Sequence, residues 1–390
     1  MYCRDPVRYR RHAGFSLVEL MVGLTVGFIA ILAITQTLGV YDAQKRSTTA
    51  GADAQENGLM AMALLQEDAR KAAAGFTHPA VLNCRNYYSY FDNGSGSGGP
   101  IAAFNTLPVV ITDAASGSSD AVTVRTAFRF VGSIPTYLKS TMTSPGSDLE
   151  VRRSFGFDVD DSGSPTVFPL AIIVHPSNSN CTLIKVTAVD HGAHVLKHEN
   201  NIEVPDTPEY NPTDSYMTGN GWPTYPAESM VFNVGNTLVG AVNSRTYEIS
   251  NNTLQITSAL SSVVPTTEDA VTGVVNLQAQ YGIADVNSQS VSSWVNATGT
   301  EWSSNVLDRD HANRVKAVRI VVVARAGKLE ASNVTEACTN AAGVANTGPC
   351  SFDDAQAPVI DLTGDANWRR YRYRVYQTVI PLRNMVWAKL

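Results

Sequence analysis

Two hydrophobic patterns follow one another in the first 76 residues. Between Gly14 and Tyr41 the sequence GFSLVELMVGLTVGFIAILAITQTLGVY is apolar all round, with one charge, Glu19, near its start. From Leu20 to Tyr41 no residue is charged. At 1.5 Å per residue that run spans roughly 33 Å, enough for a bilayer core. Further on, Leu59, Met62, Leu65, Ala69, Ala72 and Phe76 recur at three- and four-residue spacing among Gln55, Glu56, Gln66, Glu67, Arg70 and Lys71. That is an amphipathic helix in need of a partner surface. Together the two patterns predict one long helix over 15–74, a membrane half (15–41) and an amphipathic half (42–75). Gly23, Gly27, Gly39, Gly51 and Gly58 each weaken it by ~1 kcal/mol against Ala. They bend it or let neighbouring helices come close. Gly23 and Gly27 form a G-x-x-x-G step, which favours helix contact in lipid.

After Gly75 the pattern turns to strands. Runs at 108–112, 121–128, 167–174, 182–189, 229–234, 246–250, 254–257, 271–281, 315–325 and 371–380 are separated by turn-rich connections, notably 93–100 (NGSGSGGP) and 158–165. In 318–324, Val318, Ile320, Val322 and Ala324 share one face, with Val321 and Val323 on the other; apolar residues on both faces predict a central, doubly covered strand. Further along, Arg370, Arg372 and Arg374 alternate with Tyr371, Tyr373 and Val375, which places arginines on one face and bulky apolar groups on the other. The stretch 205–226 holds five prolines and two glycines and reads as a linker or long surface loop between two β-rich regions, 76–204 and 227–390. The expected fold class is α+β: a long helix whose second half packs on a β-rich, mostly antiparallel head of one or two β subdomains.

Glu19 changes the picture most. A carboxylate at the bilayer centre costs ~3 kcal/mol on insertion scales, and its default reading is functional. Before it, Arg4, Arg8, Arg10 and Arg11 against Asp5 make a short basic leader, which stays in the cytoplasm. An ordinary secretory signal puts small residues after its apolar core. Here the small residue, Gly14, precedes it, so a cut there removes the leader (1–14) and keeps the helix.

The chain carries a formal charge of −6; losing four Arg and one Asp takes it to −9, which argues against general nucleic-acid binding. Only 16% of residues are charged, as suits an exported β-rich protein better than a cytosolic enzyme. Cys3 lies in the leader, and Cys84, Cys181, Cys338 and Cys350 remain, an even number that suits a disulfide-permitting compartment. Four cysteines allow three connectivities. The short Gly/Asn/Pro-containing loop favours Cys338–Cys350, which leaves Cys84–Cys181; free buried thiols are the alternative.

Other clusters have plain readings beside the chemical ones. His191, His194 and His198 could share a metal on a helical face, but Gly192 and loop-like surroundings favour structural or surface histidines. Asp158, Asp160 and Asp161 before Ser162 and Gly163 begin like a calcium loop, yet position twelve is Pro169, so an acidic turn is the better reading. The arginine alternation could receive an acidic subunit or phosphates, or simply be a solvated face. No G-x-S-x-G, Walker, H-E-x-x-H or post-strand G-x-G-x-x-G pattern occurs, so no enzyme, cofactor or metal site is expected.

Gly14-Phe15 followed by Glu19, within GFSLVEL, resembles the class III signal of type IV pilins and pseudopilins. VTGVVNLQAQYG at 271–282, NRVKAVRIVVVARAG, and the ending YRYRVYQTVIPLRNMVW look like the PilW type of minor pilin. The resemblance covers the first ~60 residues and about the last 120, and it implies several things. A membrane prepilin peptidase and N-methyltransferase cleaves between Gly14 and Phe15 and methylates Phe15. Glu19 of one subunit meets the terminal amine of its neighbour, where low dielectric strengthens the pairing. The protein is a single-pass inner-membrane protein with a periplasmic head, which then enters a surface pilus. Its partners are the major pilin and other minor pilins, with which it primes assembly near the tip; such complexes can also carry a large tip adhesin. Two alternatives stand beside this: a type II secretion pseudopilin, and an adhesin or DNA-binding head on a pilin stalk.

Overall fold

The computed structural model describes residues 14, 16–75, 81, 84–92, 98–101, 106–114, 117–127, 134–159, 167–199, 209–237, 242–260, 265–304 and 309–386. Residues 1–13, Phe15, Phe76 and 160–166, on which some of the expectations fall, lie outside them. The chain divides into two compact units, 1–52 and 53–390.

The first element is the helix α1, Leu17–Lys71. Its part in the second unit buries Ala54, Gly58, Ala61, Met62, Leu65 and Ala69, and the buried Ala72 follows its last turn. Full burial of Met62 or Leu65 contributes ~1.5–3 kcal/mol each. Leu59, expected on this stripe, is instead 52% exposed. At about 100° per residue it stands a quarter-turn away from Gly58. The helix stops where Ala73 takes φ 63° and Gly75 φ 81°. Asn384 Nδ2 donates to the freed carbonyl of Ala72 at 2.8 Å.

Nineteen strands follow among the described residues: β1 Asn86–Tyr88, β2 Val109–Thr112, β3 Ala121–Ala127, β4 Thr136–Tyr137, β5 Leu149–Glu150, β6 Pro169–Val174, β7 Asn180–Lys185, β8 Ala188–Asp190, β9 Val195–Lys197, β10 Met230–Asn236, β11 Val242–Ser250, β12 Thr253–Leu260, β13 Thr266–Thr272, β14 Val274–Ala284, β15 Val291–Val295, β16 Val315–Arg325, β17 Cys338–Thr339, β18 Ala345–Asn346 and β19 Tyr373–Pro381. They form three main sheets, ordered β1-β7-β6-β10-β4, β13-β12-β11-β3-β2 and β15-β14-β16-β19. Among the described strand pairs, only β1–β7 is parallel. The architecture is therefore α+β, with a mostly antiparallel head.

Residues 53–72 pack between the second and third sheets. Tyr247, Leu254, Ile256 and Val271 meet the helix from one, and Leu277, Tyr281, Val318, Ile320, Val322 and Ile380 from the other. Polar anchors fix the helix. Asp68 accepts from Tyr247 Oη at 2.6 Å and Arg245 Nη1 at 3.0 Å; Gln66 Nε2 donates to Thr378 Oγ1 at 2.9 Å. Gly58 has a specific task here: a Cβ on it would sit 2.1 Å from the Tyr376 ring, whose hydroxyl donates to the Gln55 carbonyl at 3.0 Å. The glycine costs helix propensity and admits an aromatic ring from β19.

Three expectations need correction. The 271–281 run is not one strand: Gly273, at φ 75°, ends β13 in the second sheet and starts β14 in the third. The 182–189 run likewise divides between β7 and β8. The stretch 205–226 does not separate two β regions. Strands from before and after it share the first sheet (β6 with β10) and the second (β3 with β11). Its described part is packed rather than linker-like: Tyr210, Asn211, Met217, Trp222 and Tyr225 are all buried. It also contains a short helix, α2 Asp214–Gly219, capped by Thr213. Aromatic residues among the prolines supply the apolar area that a linker lacks.

Where the second and third sheets meet, the mostly buried Asp120 accepts from Ala114 N at 3.1 Å and Ala279 N at 2.9 Å. Burial outweighs these hydrogen bonds and pushes its carboxyl from 3.8 up to about 7. The folded state therefore holds a proton that the unfolded chain releases. The stabilisation is complete below about pH 4 and is lost as pH rises towards 7, on the order of 4 kcal/mol at most. Urea unfolding between pH 4.5 and 7.5 should show a steeper decline for the wild type than for Asp120→Asn. Equal slopes would contradict the assignment.

Candidate assembly surface

The N-terminal half of α1 carries its apolar side chains outward. Leu17, Leu20, Met21, Leu24, Phe28, Ile31 and Leu38 are all 56–76% exposed, and none of the apolar span is buried within the chain. Such a surface is stable only in lipid or against other helices. Its three threonine hydroxyls are satisfied internally: Thr25, Thr35 and Thr37 donate to the carbonyls of Val22, Leu32 and Ala33 at 2.8–3.0 Å. Backbone groups left unpaired in hydrocarbon would cost several kcal/mol each. Gly23 and Gly27 have open space at the Cβ position, so the G-x-x-x-G face is free for close approach.

Glu19 sits in the first turn. Its Oε2 accepts from Ser16 N at 3.1 Å, and Ser16 Oγ accepts from Val18 N at 3.3 Å. This resembles a capping box, with the Glu three residues after the cap. The carboxylate thus serves its own helix terminus and remains exposed. Gly14 is exposed too.

The histidines expected to cluster do so only in part. His191 Nδ1 and His194 Nδ1 lie 3.0 and 3.3 Å from the buried Ser154 Oγ, and His191 Nε2 is 3.5 Å from Asp158. His198 is buried elsewhere, hydrogen-bonded to the Ser147 carbonyl at 2.8 Å, and burial lowers its pKa. Among the described residues no three ligating side chains converge on a metal-sized space. Asp160, Asp161, Ser162 and Gly163 lie outside those residues.

The arginine alternation is shorter than the sequence suggested. Arg370 belongs to a 3-10 turn, Trp368–Arg370, anchored by the buried Trp368, so β19 starts only at Tyr373. Arg370 Nε donates to the Glu330 carbonyl at 2.8 Å, and Arg372 Nε to its carboxylate at 3.1 Å. Those hydrogen bonds from Arg372 and Lys328 hold Glu330 below its usual pKa. Arg374 is exposed on β19.

Two disulfides brace the head. Cys84–Cys181 ties the segment before β1 to β7, and Cys338–Cys350 closes the β17–β18 loop; each has Cα atoms 5.5 Å apart. The segment after β16 covers the outer face of the third sheet, where Ile360, Leu362 and Trp368 pack on Val321 and Val323. β16 is thus covered on both faces. Under this segment lies Arg319, 1% exposed, which the sequence reading passed over. It donates to Gln280 Oε1 at 2.5 Å, to Asp354 Oδ2 at 2.6 Å and to the Gln356 carbonyl, and lies 4.9 and 4.8 Å from the Trp294 and Phe352 rings. The signal was available: a cation in the middle of a valine-rich central strand needs a partner. A cavity of about 430 Å³ nearby includes Arg325, already paired with Asp365 at 2.7 Å and 4.2 Å from the Tyr371 ring.

Comparisons with known proteins fit these two halves. Residues 231–384 match the family described as Type IV Pilus-assembly protein W, and residues 9–35 match the prokaryotic N-terminal methylation motif. No curated protein matches the sequence significantly. Among solved structures, a type IV-like pilin from Thermus thermophilus aligns over 86% of this chain and 98% of its own. Its identity is 8% and its TM-score 0.31, too low to argue for shared geometry. The matched family is one of structural assembly proteins, not of enzymes. A methylation motif on an uncovered apolar helix is thus joined, in one chain, to a C-terminal region similar to the PilW type of pilus-assembly protein.

Proposed function

We propose that this chain is a minor pilin that primes a type IV pilus and enters it at or near the tip. The observation that carries the reading is the apolar helix half with no cover of its own. It serves as an anchor in the inner membrane and then as part of the packed fibre core, so extraction exchanges lipid for neighbouring helices. Cleavage between Gly14 and Phe15, with methylation of Phe15, prepares it. The new terminal amine of one subunit then pairs with Glu19 of the next, and that pairing fixes axial register. Before assembly Glu19 is occupied by its own Ser16 N–H, and docking replaces that neutral donor with a charged one. The PilW-family match over 231–384 favours the pilus over a type II secretion pseudopilin, since the N-terminal motif serves both readings. The major pilin, other minor pilins and a tip adhesin are the expected partners. Deleting the coding sequence should abolish or sharply reduce surface pili and twitching while exoprotein release continues. The reverse pattern would transfer the protein to secretion.

A further inference from the structure

Two strands of the head end their sheets with open edges, and they carry opposite charge. β19 closes the third sheet and β13 the second. Among the described residues, neither strand has a backbone partner beyond its ladder to β16 or β12. An edge strand turns the N–H and C=O of every second residue outward, a ready template for another strand. These are also the longest edges: nine residues in β19 and seven in β13, against three, four, two and five in β1, β2, β4 and β15.

On β19, Arg374 is exposed and makes no ion pair among the described residues, and Val379 is 48% exposed. Arg372 lies just before the strand. On β13, Thr266, Thr267, Glu268 and Asp269 are all exposed. Asp269 accepts from Gln255 Nε2 at 2.7 Å, while Glu268 makes no ion pair among the described residues. Like charges directly opposite in a strand pair are destabilising. Each edge therefore rejects a second copy of itself, and the two favour one another.

We propose that β19 of one chain accepts β13 of a second copy as an added strand, with Arg374 near Glu268. Backbone hydrogen bonds supply the affinity, as in strand addition generally, and the opposed charges select the partner edge. The contact is heterologous. Each new chain leaves one free β13 and one free β19, so heads can follow one another without closing into a two-fold pair. It joins heads and stands independently of the role given to Glu19.

Charge reversal tests it in the full chain, purified in detergent and followed by sedimentation velocity over a range of concentrations and salt. Glu268→Arg sets an arginine against Arg374 and cancels the negative charge of β13, and Arg374→Glu makes β19 acidic like β13. The wild type should self-associate, less so in high salt, and each variant alone should associate about tenfold more weakly. A 1:1 mixture of the two variants should recover association, which also shows that both are folded. A wild type that stays monomeric, variants that associate as well as the wild type, or a mixture no better than either variant alone would overturn the proposal.

Discussion

Glu19→Ala is expected to reach the membrane at wild-type levels and to be depleted at least tenfold from sheared pili. Insertion does not need the carboxylate, since removing a charge from an apolar helix lowers the cost of entering lipid. Assembly does need it on this account. A neighbour's amine left without its acid in a low-dielectric core carries a penalty of ~3–5 kcal/mol, the usual cost of breaking a buried pair. Glu19 also accepts from Ser16 N, so Ala removes a helix cap as well as a charge. Glu19→Gln separates the two. Gln can still close a capping box but cannot pair with an ammonium ion. Immunoblots of membrane and pilus fractions should therefore show Gln nearly as defective as Ala. A Gln variant that enters pili normally would reduce Glu19 to a cap.

Arg319→Ala should destabilise the head by ~3–5 kcal/mol. The guanidinium is 1% exposed, and its removal leaves Gln280 Oε1 without its donor, takes one of two donors from the Gln356 carbonyl and leaves space between the Trp294 and Phe352 rings. Asp354, whose pKa is held down first by the hydrogen bond from Arg319, loses its cationic partner and keeps only backbone donors such as Gln356 N. Arg319→Lys should not rescue, because an ammonium cannot reach these acceptors in the same fork or lie flat between two rings. The expected readout is a lower urea midpoint, with earlier proteolysis between residues 326 and 372, the segment that follows β16 and ends before β19. A midpoint within the error of wild type would mean that the cage contributes nothing.

The parts legible in the sequence were those with a long, regular period. A 55-residue helix declares itself through its spacing, and β16 through apolar residues on both faces. Short strands do not. β4, β5, β17 and β18 have two residues each, too few to show alternation, and they exist because distant partners lie beside them. The prolines of 205–226 suggested a linker, and its aromatic residues decided otherwise once strands from both sides shared sheets. Gly58 looked like a weak point in a helix. Its reason, the Tyr376 ring, is more than 300 residues away. Within the candidate assembly surface, Glu19 and the open glycine face could be read directly, because local chemistry fixes them. The Arg319 cage and the complementary edges could not, because each is assembled by tertiary contact from strands far apart in the chain.

The most direct test is intact-mass spectrometry of this chain recovered from sheared, washed pili. The account predicts a polypeptide that begins at N-methylated Phe15 and retains two disulfides. A fibre-associated chain that still carries residues 1–14, or consistent absence of the chain from the fibres of a piliated cell that expresses it, would contradict it.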